Sequence, residues 1–273
     1  MANFKQTLKN VLPEGVQNVL RNTRDGLQRL PEDYEAATHP WRRAVNARLH
    51  PMRDQYKGKR CFIVGNGPSL RDTDMRKLRG EYTFGMNRIY LMFPELGFET
   101  SFFVSINDLV VEQSAADIQQ LSMPKFIAWH AHRFLQPADN MFFLHTTYTG
   151  PKFARDITGR LWEGATVTYV ALQVAYFLGF SEAILIGVDH SFATKGKPNT
   201  TVVSQGDDPN HFHPGYFGKG FKWQLPDLET SERSYAMARR AYEAAGRQVL
   251  DATIGGKCPI YEKVGYDSLF REP

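Results

Sequence analysis

The stretch Arg60–Leu70, RCFIVGNGPSL, constrains the fold more than any other, because an apolar run from Cys61 to Val64 passes directly into Gly65-Asn66-Gly67-Pro68-Ser69. An apolar run of this length that stops at glycines predicts a strand buried on both faces, as in a parallel sheet, with a tight loop beyond its C-terminal end. In open α/β sheets that edge binds ligands, since the loops leave a crevice and the following helix offers unpaired N–H groups to anions. Gly65, Asn66, Gly67, Pro68 and Ser69 are therefore expected to touch a nucleotide. The spacing begins as G-x-G, but Leu70 stands where the dinucleotide fingerprint carries its third glycine, and Pro68 lacks a backbone N–H. This is not the usual NAD loop. The blander alternative is a strand-to-helix turn that needs glycine only for its dihedrals.

From Lys57 onward, strand and helix patterns alternate, as a parallel sheet requires. Strands are expected at Arg60–Val64, Tyr82–Gly85, Ser101–Ser105, Lys125–Ala128, Met141–Leu144, Ala183–Gly187 and Gln248–Ala252. Helices are expected at Asp74–Leu78, Ala115–Leu121, Thr166–Leu178 and Glu229–Ala245. The fold class is α/β: a Rossmann-like, mostly parallel sheet with helices on both faces. A length of 273 residues suits one such domain with an appendage. The boundaries are an N-terminal helical extension over 1–56 and a Rossmann-like nucleotide-binding domain over 57–273. Within the latter, residues 192–226 lack periodicity and are rich in Gly, Pro, Asn, Asp and His. Phe212, Tyr216, Phe217, Phe221 and Trp223 in this segment predict a lid that orders over a ligand and is mobile without one.

Charge is concentrated at the start of the chain. Residues 1–60 carry 12 Lys and Arg against 6 Asp and Glu, and the rest carry 21 against 23. Phe4, Leu8, Val11 and Leu12, then Val16, Val19 and Leu20, recur at helical spacing on either side of Pro13-Glu14-Gly15. A further helix, Tyr34–Tyr56, broken near Pro40, carries Arg42, Arg43, Arg48 and Arg53. The expectation is that these helices dock on their own domain with a solvated basic face; peripheral contact with an anionic membrane through 1–56 is the alternative. Cys61 and Cys258 are the only cysteines, and they form no metal-ligand pattern. No signal-peptide core or membrane span is evident, since Gly179, Ser181 and Glu182 interrupt the longest apolar stretch. A cytoplasmic protein with no nucleic-acid partner is expected, and homo-oligomerisation is left open.

Polar residues at predicted strand ends carry the chemistry. Asn66 follows the first strand, Asn87 the second, Asn107 and Asp108 the third, and Asp189 and His190 follow Ala183–Gly187. Amide side chains donate and accept at once, which suits a ribose, a pyrimidine or a sugar. Taken singly, each would be an ordinary turn former or helix cap. In the lid, His211 or His213 could serve as general base, with His213 slightly favoured, while Tyr216, Lys219 and Arg88 could stabilise a departing phosphate. A metal site built from Asp189, His190, His211 and His213 is the competing use of those residues. His130, His132 and His145 read as satisfied polar residues near a strand end. No D-x-D stands at a strand end, and Asp207-Asp208 reads as a solvated turn.

GNGPSL, the strand ending in Met86-Asn87, the strand ending in Ile106-Asn107, and GATVTYVALQVAYFLGFSEAILIGVDHSF together resemble the family 42 glycosyltransferases, bacterial sialyltransferases that use CMP-N-acetylneuraminate. The same elements resemble the broader MptE-like (DUF115) family, which includes archaeal 6-hydroxymethylpterin diphosphokinase and flagellin-modifying motility accessory factors. The resemblance runs over roughly Lys57–Ala252. It implies that Asn66, Asn87, Asn107 and Asp189 surround a cytidine nucleotide, that Thr166 or Thr168 replaces a nucleotide-contacting serine, and that His211–Tyr216 carries the catalytic histidine. The implied activity is transfer of an acidic sugar from a CMP-activated donor to a glycan or protein acceptor, with no cofactor or metal required. Two alternatives are pyrophosphoryl transfer from ATP, with Mg²⁺ on Asp108 and Asp189, and a non-catalytic nucleotide-sugar-binding module.

Overall fold

The computed structural model describes residues 13–147 and 149–270, so the Phe4, Leu8, Val11 and Leu12 part of the N-terminal pattern lies outside the described residues. The strands are β1 (Arg60–Val64), β2 (Thr83–Met86), β3 (Phe102–Ser105), β4 (Lys125–Ala128), β5 (Met141–Thr147), β6 (Arg160–Trp162), β7 (Glu182–Ile186), β8 (Thr201–Val203), β9 (Lys222–Gln224), β10 (Gln248–Asp251) and β11 (Glu262–Lys263). The helices are α1 (Glu14–Thr38), α2 (Pro40–Leu49), α3 (Phe93–Leu96), α4 (Asp108–Gln113), α5 (Ala115–Gln120), α6 (Val167–Leu178) and α7 (Leu228–Glu243). Among the described residues, nine strands form one sheet in the order β11-β10-β7-β1-β2-β3-β4-β5-β6, and every neighbouring pair is parallel. This is a Rossmann-like α/β fold.

The chain leaves β1 through β2 to β6 in one direction and returns to the other side of β1 with β7. The strand order therefore reverses between β1 and β7, where open α/β sheets hold their ligands. Alternation along β1 sends Cys61 and Ile63 into one apolar layer and Phe62 and Val64 into the other, which is why this strand reads as an unbroken apolar run. Helix α6 fills the first layer and is buried from Thr168 to Leu178; the Thr166 hydroxyl accepts from the Thr168 N–H at its start, and Gly179, at φ 98°, ends it. Strands β6 and β11 were not anticipated because they are too short to show a period.

The N-terminal helices differ from expectation in two ways. First, α1 runs unbroken from Glu14 to Thr38 through Pro31, and the chain breaks only at His39, whose extended backbone and ring nitrogen cap α2. Second, part of the basic face turns inward: Arg42 and Arg48 are drawn to carbonyls of the domain, while Arg43 and Arg53 stay exposed. Arg42 is buried and donates to the carbonyls of Phe143 (2.9 Å) and Thr158 (3.0 Å), with burial lowering its guanidinium to about 10. Arg48 donates to the Ala138, Asp139 and Met141 carbonyls, Arg53 pairs with Asp156 and Arg60 with Glu81. Val45 and Leu49 lie in the same apolar layer as β5, so packing makes residues 40–49 part of the core rather than of an extension ending at 56. Among the described residues no helix is long and apolar enough to cross a membrane.

If Arg42 holds α2 to the sheet edge, Arg42→Met should lower the free energy of urea unfolding by about 2–4 kcal/mol, because it strands buried carbonyl partners. Exposed Arg43→Met should change it by less than about 0.5 kcal/mol. Equal effects of the two substitutions would contradict this role.

Candidate functional site

A cleft of two connected chambers opens at the C-terminal edge of the sheet. The first, about 150 Å³, lies between the loops after β1 and β7 and is lined by Gly65, Asn66, Gly67, Thr168, Asp189 and His190. The second, about 450 Å³, lies over β2 and β3 and includes Asn87, Asn107, Asp108, Glu163 and Trp223. Thr166, Val167, Phe192 and His211 line both.

The loop after β1 is shaped by close approach. A Cβ on Gly65 would lie 2.1 Å from the Gly187 carbonyl oxygen, and one on Gly67 would lie 1.8 Å from Asp189 Oδ2. Gly67 itself has φ −69°, so it is required for space and not for its dihedrals. Asp189 accepts from the Ser69 backbone N–H (3.1 Å) and the Ser69 hydroxyl (2.7 Å), which ties the two loops together. Pro68 opens the 3-10 turn that brings Ser69 to this carboxylate.

The three asparagines part company. Asn107 caps α4, its Oδ1 accepting from the Leu109 and Val110 N–H groups, and its Nδ2 donates to Gln224 of β9 (3.0 Å). Its side chain thus serves as the helix cap that its residue type allows, at the wall of the second chamber. Asn87 sits at φ 52° and accepts from the Ser105 hydroxyl. Asn66 keeps a buried Oδ1 with no partner among the described residues, while its carbonyl accepts from the Phe212 N–H (2.9 Å). An acceptor sealed from water and unpaired costs about 1–3 kcal/mol, and a ligand donor would relieve that cost.

The segment 192–226 is not an open flap. It contains the β8–β9 hairpin and buries Phe212, Tyr216, Phe217 and Trp223, each worth roughly 1.5–3 kcal/mol. Arg71 donates to the His211 and Phe212 carbonyls, and Arg88 to those of Gly215 and Tyr216. Arg88 thus clamps the segment rather than facing a phosphate. Of the two candidate histidines, only His211 lines the cleft. Its Nδ1–H donates to buried Asp208 (2.7 Å), whose other oxygen accepts from the Asn210 N–H, and its ring stacks on Tyr216 at 4.0 Å. That leaves Nε2 as the available ring nitrogen. His213, slightly favoured from sequence, is exposed, accepts from the Gly215 N–H and does not reach either chamber. Tyr216 is fully buried, its hydroxyl pushed well above the usual tyrosine range by burial, and it accepts from the Arg88 N–H, so it supports His211 without facing substrate. Lys219 is exposed and outside both chambers. Asp208, read from sequence as part of a solvated turn, is instead buried and holds His211; its signal was the i, i+3 spacing to His211.

The proposed four-residue metal site is not assembled. Asp189 is spent on Ser69, His190 pairs with Glu232 (2.9 Å), His211 with Asp208, and His213 is outside the cleft. Asp108, the other carboxylate assigned to Mg²⁺ in the diphosphokinase alternative, accepts from His130 Nδ1 (2.5 Å) and Arg133 (3.0 Å). Among the described residues no group of three or more His, Cys, Asp or Glu is placed to hold a metal ion. His130 also donates from Nε2 to Glu163 (2.8 Å), His132 hydrogen-bonds the Trp129 carbonyl and His145 bonds Asp33, so all three are satisfied as expected. Burial alone would lower His130, but the bonds and charges of Asp108 and Glu163 outweigh it and raise the imidazole to about 10. A charged imidazolium between two carboxylates therefore underlies the second chamber.

The family described as 6-hydroxymethylpterin diphosphokinase MptE-like matches residues 40–195. No curated protein matches the chain. Among solved structures, the chain is similar to the MAf glycosyltransferase from Magnetospirillum magneticum AMB-1, with TM-score 0.47 and 15% identity over 83% of this chain and 39% of that one. It thus spans about two fifths of that protein's length. It is also similar to the sialyltransferase CstII from Campylobacter jejuni, solved with cytidine-5'-monophosphate, with TM-score 0.41 and 13% identity over 77% of this chain and 86% of that one.

Because His130 is raised above its unfolded value near 6.5, its contribution to stability is complete below about pH 6.5 and is lost as pH rises through about 10. The urea midpoint of the wild type should therefore fall more between pH 7 and pH 10 than that of His130→Gln. Parallel pH profiles would show that the imidazolium is not what holds this network.

Proposed function

The chain belongs to the MptE-like family, and we propose that within it this protein is a glycosyltransferase that moves a sugar from a CMP-activated donor to an acceptor hydroxyl. The observation that carries the reading is the Asp208–His211 pair at the junction of the two chambers. A neutral imidazole whose Nδ1–H is fixed by a carboxylate presents Nε2 as a base. His211 takes the proton of the acceptor hydroxyl as that oxygen bonds to the sugar carbon, while the bond from that carbon to the phosphate oxygen breaks and CMP leaves. Asp208 stabilises the imidazolium that forms, as the carboxylate does in other oriented His–Asp pairs.

The nucleotide is assigned to the cleft across both chambers, its base or ribose reaching into the first, which at about 150 Å³ is too small for a whole nucleotide, and the acceptor is assigned to the second. Asn66 Oδ1 offers an unpaired acceptor to a base amino group or ribose hydroxyl. The first turn of α6, entered through Thr166, Val167 and Thr168, faces both chambers and attracts the departing phosphate through its dipole. The acidic sugar implied by the resemblance would rest its carboxylate there as well, since among the described residues no Lys or Arg lines either chamber. The same absence of cations weighs against a triphosphate. Pyrophosphoryl transfer, the activity in the family's description, also uses an attacking hydroxyl, but the two carboxylates it would lend to Mg²⁺ are committed to Ser69, His130 and Arg133.

A thermal-shift series separates these readings. CMP or CTP at 100 times its dissociation constant should add about 2.7 kcal/mol, roughly 5 °C for a chain of this size, without added metal, and ATP with Mg²⁺ should do little. The reverse ranking would favour the diphosphokinase reading.

With a CMP-sugar donor, His211→Ala should lower turnover by roughly 10²–10⁴-fold with little change in CMP affinity, because proton abstraction acts only in the transition state. His213→Ala should behave like the wild type. A fully active His211→Ala enzyme would remove His211 as the base.

A further inference from the structure

A second imidazole in the cleft, besides that of His211, is held by a carboxylate through one nitrogen. The His190 side chain is 6% exposed and lines the first chamber; its Nε2 pairs with Glu232 at 2.9 Å, and Glu232 lines neither chamber. Because an ionised carboxylate only accepts, Nε2 carries a hydrogen, and Nδ1 is left without a partner among the described residues. The loop that carries the ring is tied down on both sides. The Asp189 carbonyl accepts from the Lys257 N–H (2.9 Å) before it, and the Ala193 N–H donates to the Asn210 side chain (2.7 Å) after it. The ring lies 6.2 Å from that of Tyr235, whose hydroxyl is 3.3 Å from that of Thr166 at the start of α6. His190 and the first turn of α6 are thus neighbours around one tyrosine, and both line the first chamber.

We propose, on the CMP-donor reading given above, that the His190 imidazolium donates its Nδ1–H to the phosphate of the donor and stabilises the charge which that phosphate gains as the sugar departs. When the bond from the sugar carbon to the phosphate oxygen breaks, its electron pair stays with the oxygen and the proton stays on Nδ1. Among the described residues no Lys or Arg lines either chamber. His211 must be neutral to act as a base, so His190 is the remaining lining side chain that can bring a positive charge to the phosphate. A carboxylate at one nitrogen and a phosphate at the other both favour the imidazolium. A fixed donor aimed at developing charge acts in the transition state more than in the ground state. The two histidines divide the chemistry: His211 removes a proton and His190 keeps one.

Calorimetric titration with CMP and with cytidine tests this, since the two ligands differ by the phosphate alone. The amide nitrogen of glutamine stands in for Nε2 of histidine, and that of asparagine for Nδ1. His190→Gln therefore keeps the contact with Glu232 and loses the phosphate donor. It should bind CMP roughly 10–100-fold more weakly than the wild type, the worth of a bond to a charged group, with cytidine affinity unchanged. His190→Asn should lose only about 3–10-fold, because a neutral donor keeps about half the strength of a charge-assisted one. With a CMP-sugar donor, kcat of His190→Gln should fall roughly 10²-fold. Asparagine also suits the left-handed backbone at φ 54°, so His190→Asn carries the comparison if the glutamine disturbs the loop. Wild-type CMP affinity in both variants, or a loss for cytidine as large as for CMP, would overturn the proposal and leave His190 a structural partner of Glu232 or a nucleoside contact. Wild-type protein that binds neither ligand would instead remove the cytidine-nucleotide reading, and this inference with it.

Discussion

Everything at the ligand edge depends on how closely the loops after β1 and β7 approach each other. The Gly65 and Gly67 positions leave no room for a Cβ, and the Asp189 carboxylate closes the gap by holding both the backbone and the side chain of Ser69. That contact fixes the mouth of the parallel sheet at the point where strand order reverses. It also turns the Asn66 carbonyl toward the Phe212 N–H, so the segment carrying His211 is registered against the loop after β1. His211, the helix α6 N-terminus and the unpaired Asn66 oxygen are thereby placed around one space.

Charge in this protein is used mainly for internal positioning. Arginines 42 and 48 bind backbone carbonyls at the edge of the sheet, Arg71 and Arg88 bind carbonyls of the 192–226 segment, and His130 bridges two carboxylates. A guanidinium can satisfy several carbonyls that irregular backbone would otherwise leave unpaired, which is how the long non-periodic segment is tied to the rest of the domain. Among the described residues no Lys or Arg lines the cleft, so in the proposed reading anion binding there falls to the dipole and N–H groups of α6.

The sheet was legible because its strands are short apolar runs, four of which, β1, β2, β3 and β7, lead into glycine or asparagine: β1 and β4 fall on the expected residues, and β2, β3, β7 and β10 within one. The individual site roles were less so. Asn107 and Asp189 stand at the ligand edge as expected, yet their side chains serve a helix cap and a loop clamp, a distinction that depends on backbone groups no spacing reveals. His211 and His213 are told apart by which one lines the cleft and which one Asp208 holds, and Asp208 reads as a turn residue because its burial is set by how the segment folds and not by the Asp207-Asp208 pattern itself. The basic N-terminal segment suggested a solvated face for the same reason: sequence shows that arginine is present but not which carbonyls lie opposite it.

The most direct test of the central claim is a crystal structure of the protein with CMP. The account predicts nucleotide density across the cleft, with a base or ribose donor on Asn66 Oδ1 in the first chamber, the phosphate at the first turn of α6, and His211 Nε2 facing the space beside that phosphate. Nucleotide bound away from the β1–β7 mouth, or a phosphate on the side of the cleft remote from His211, would contradict it.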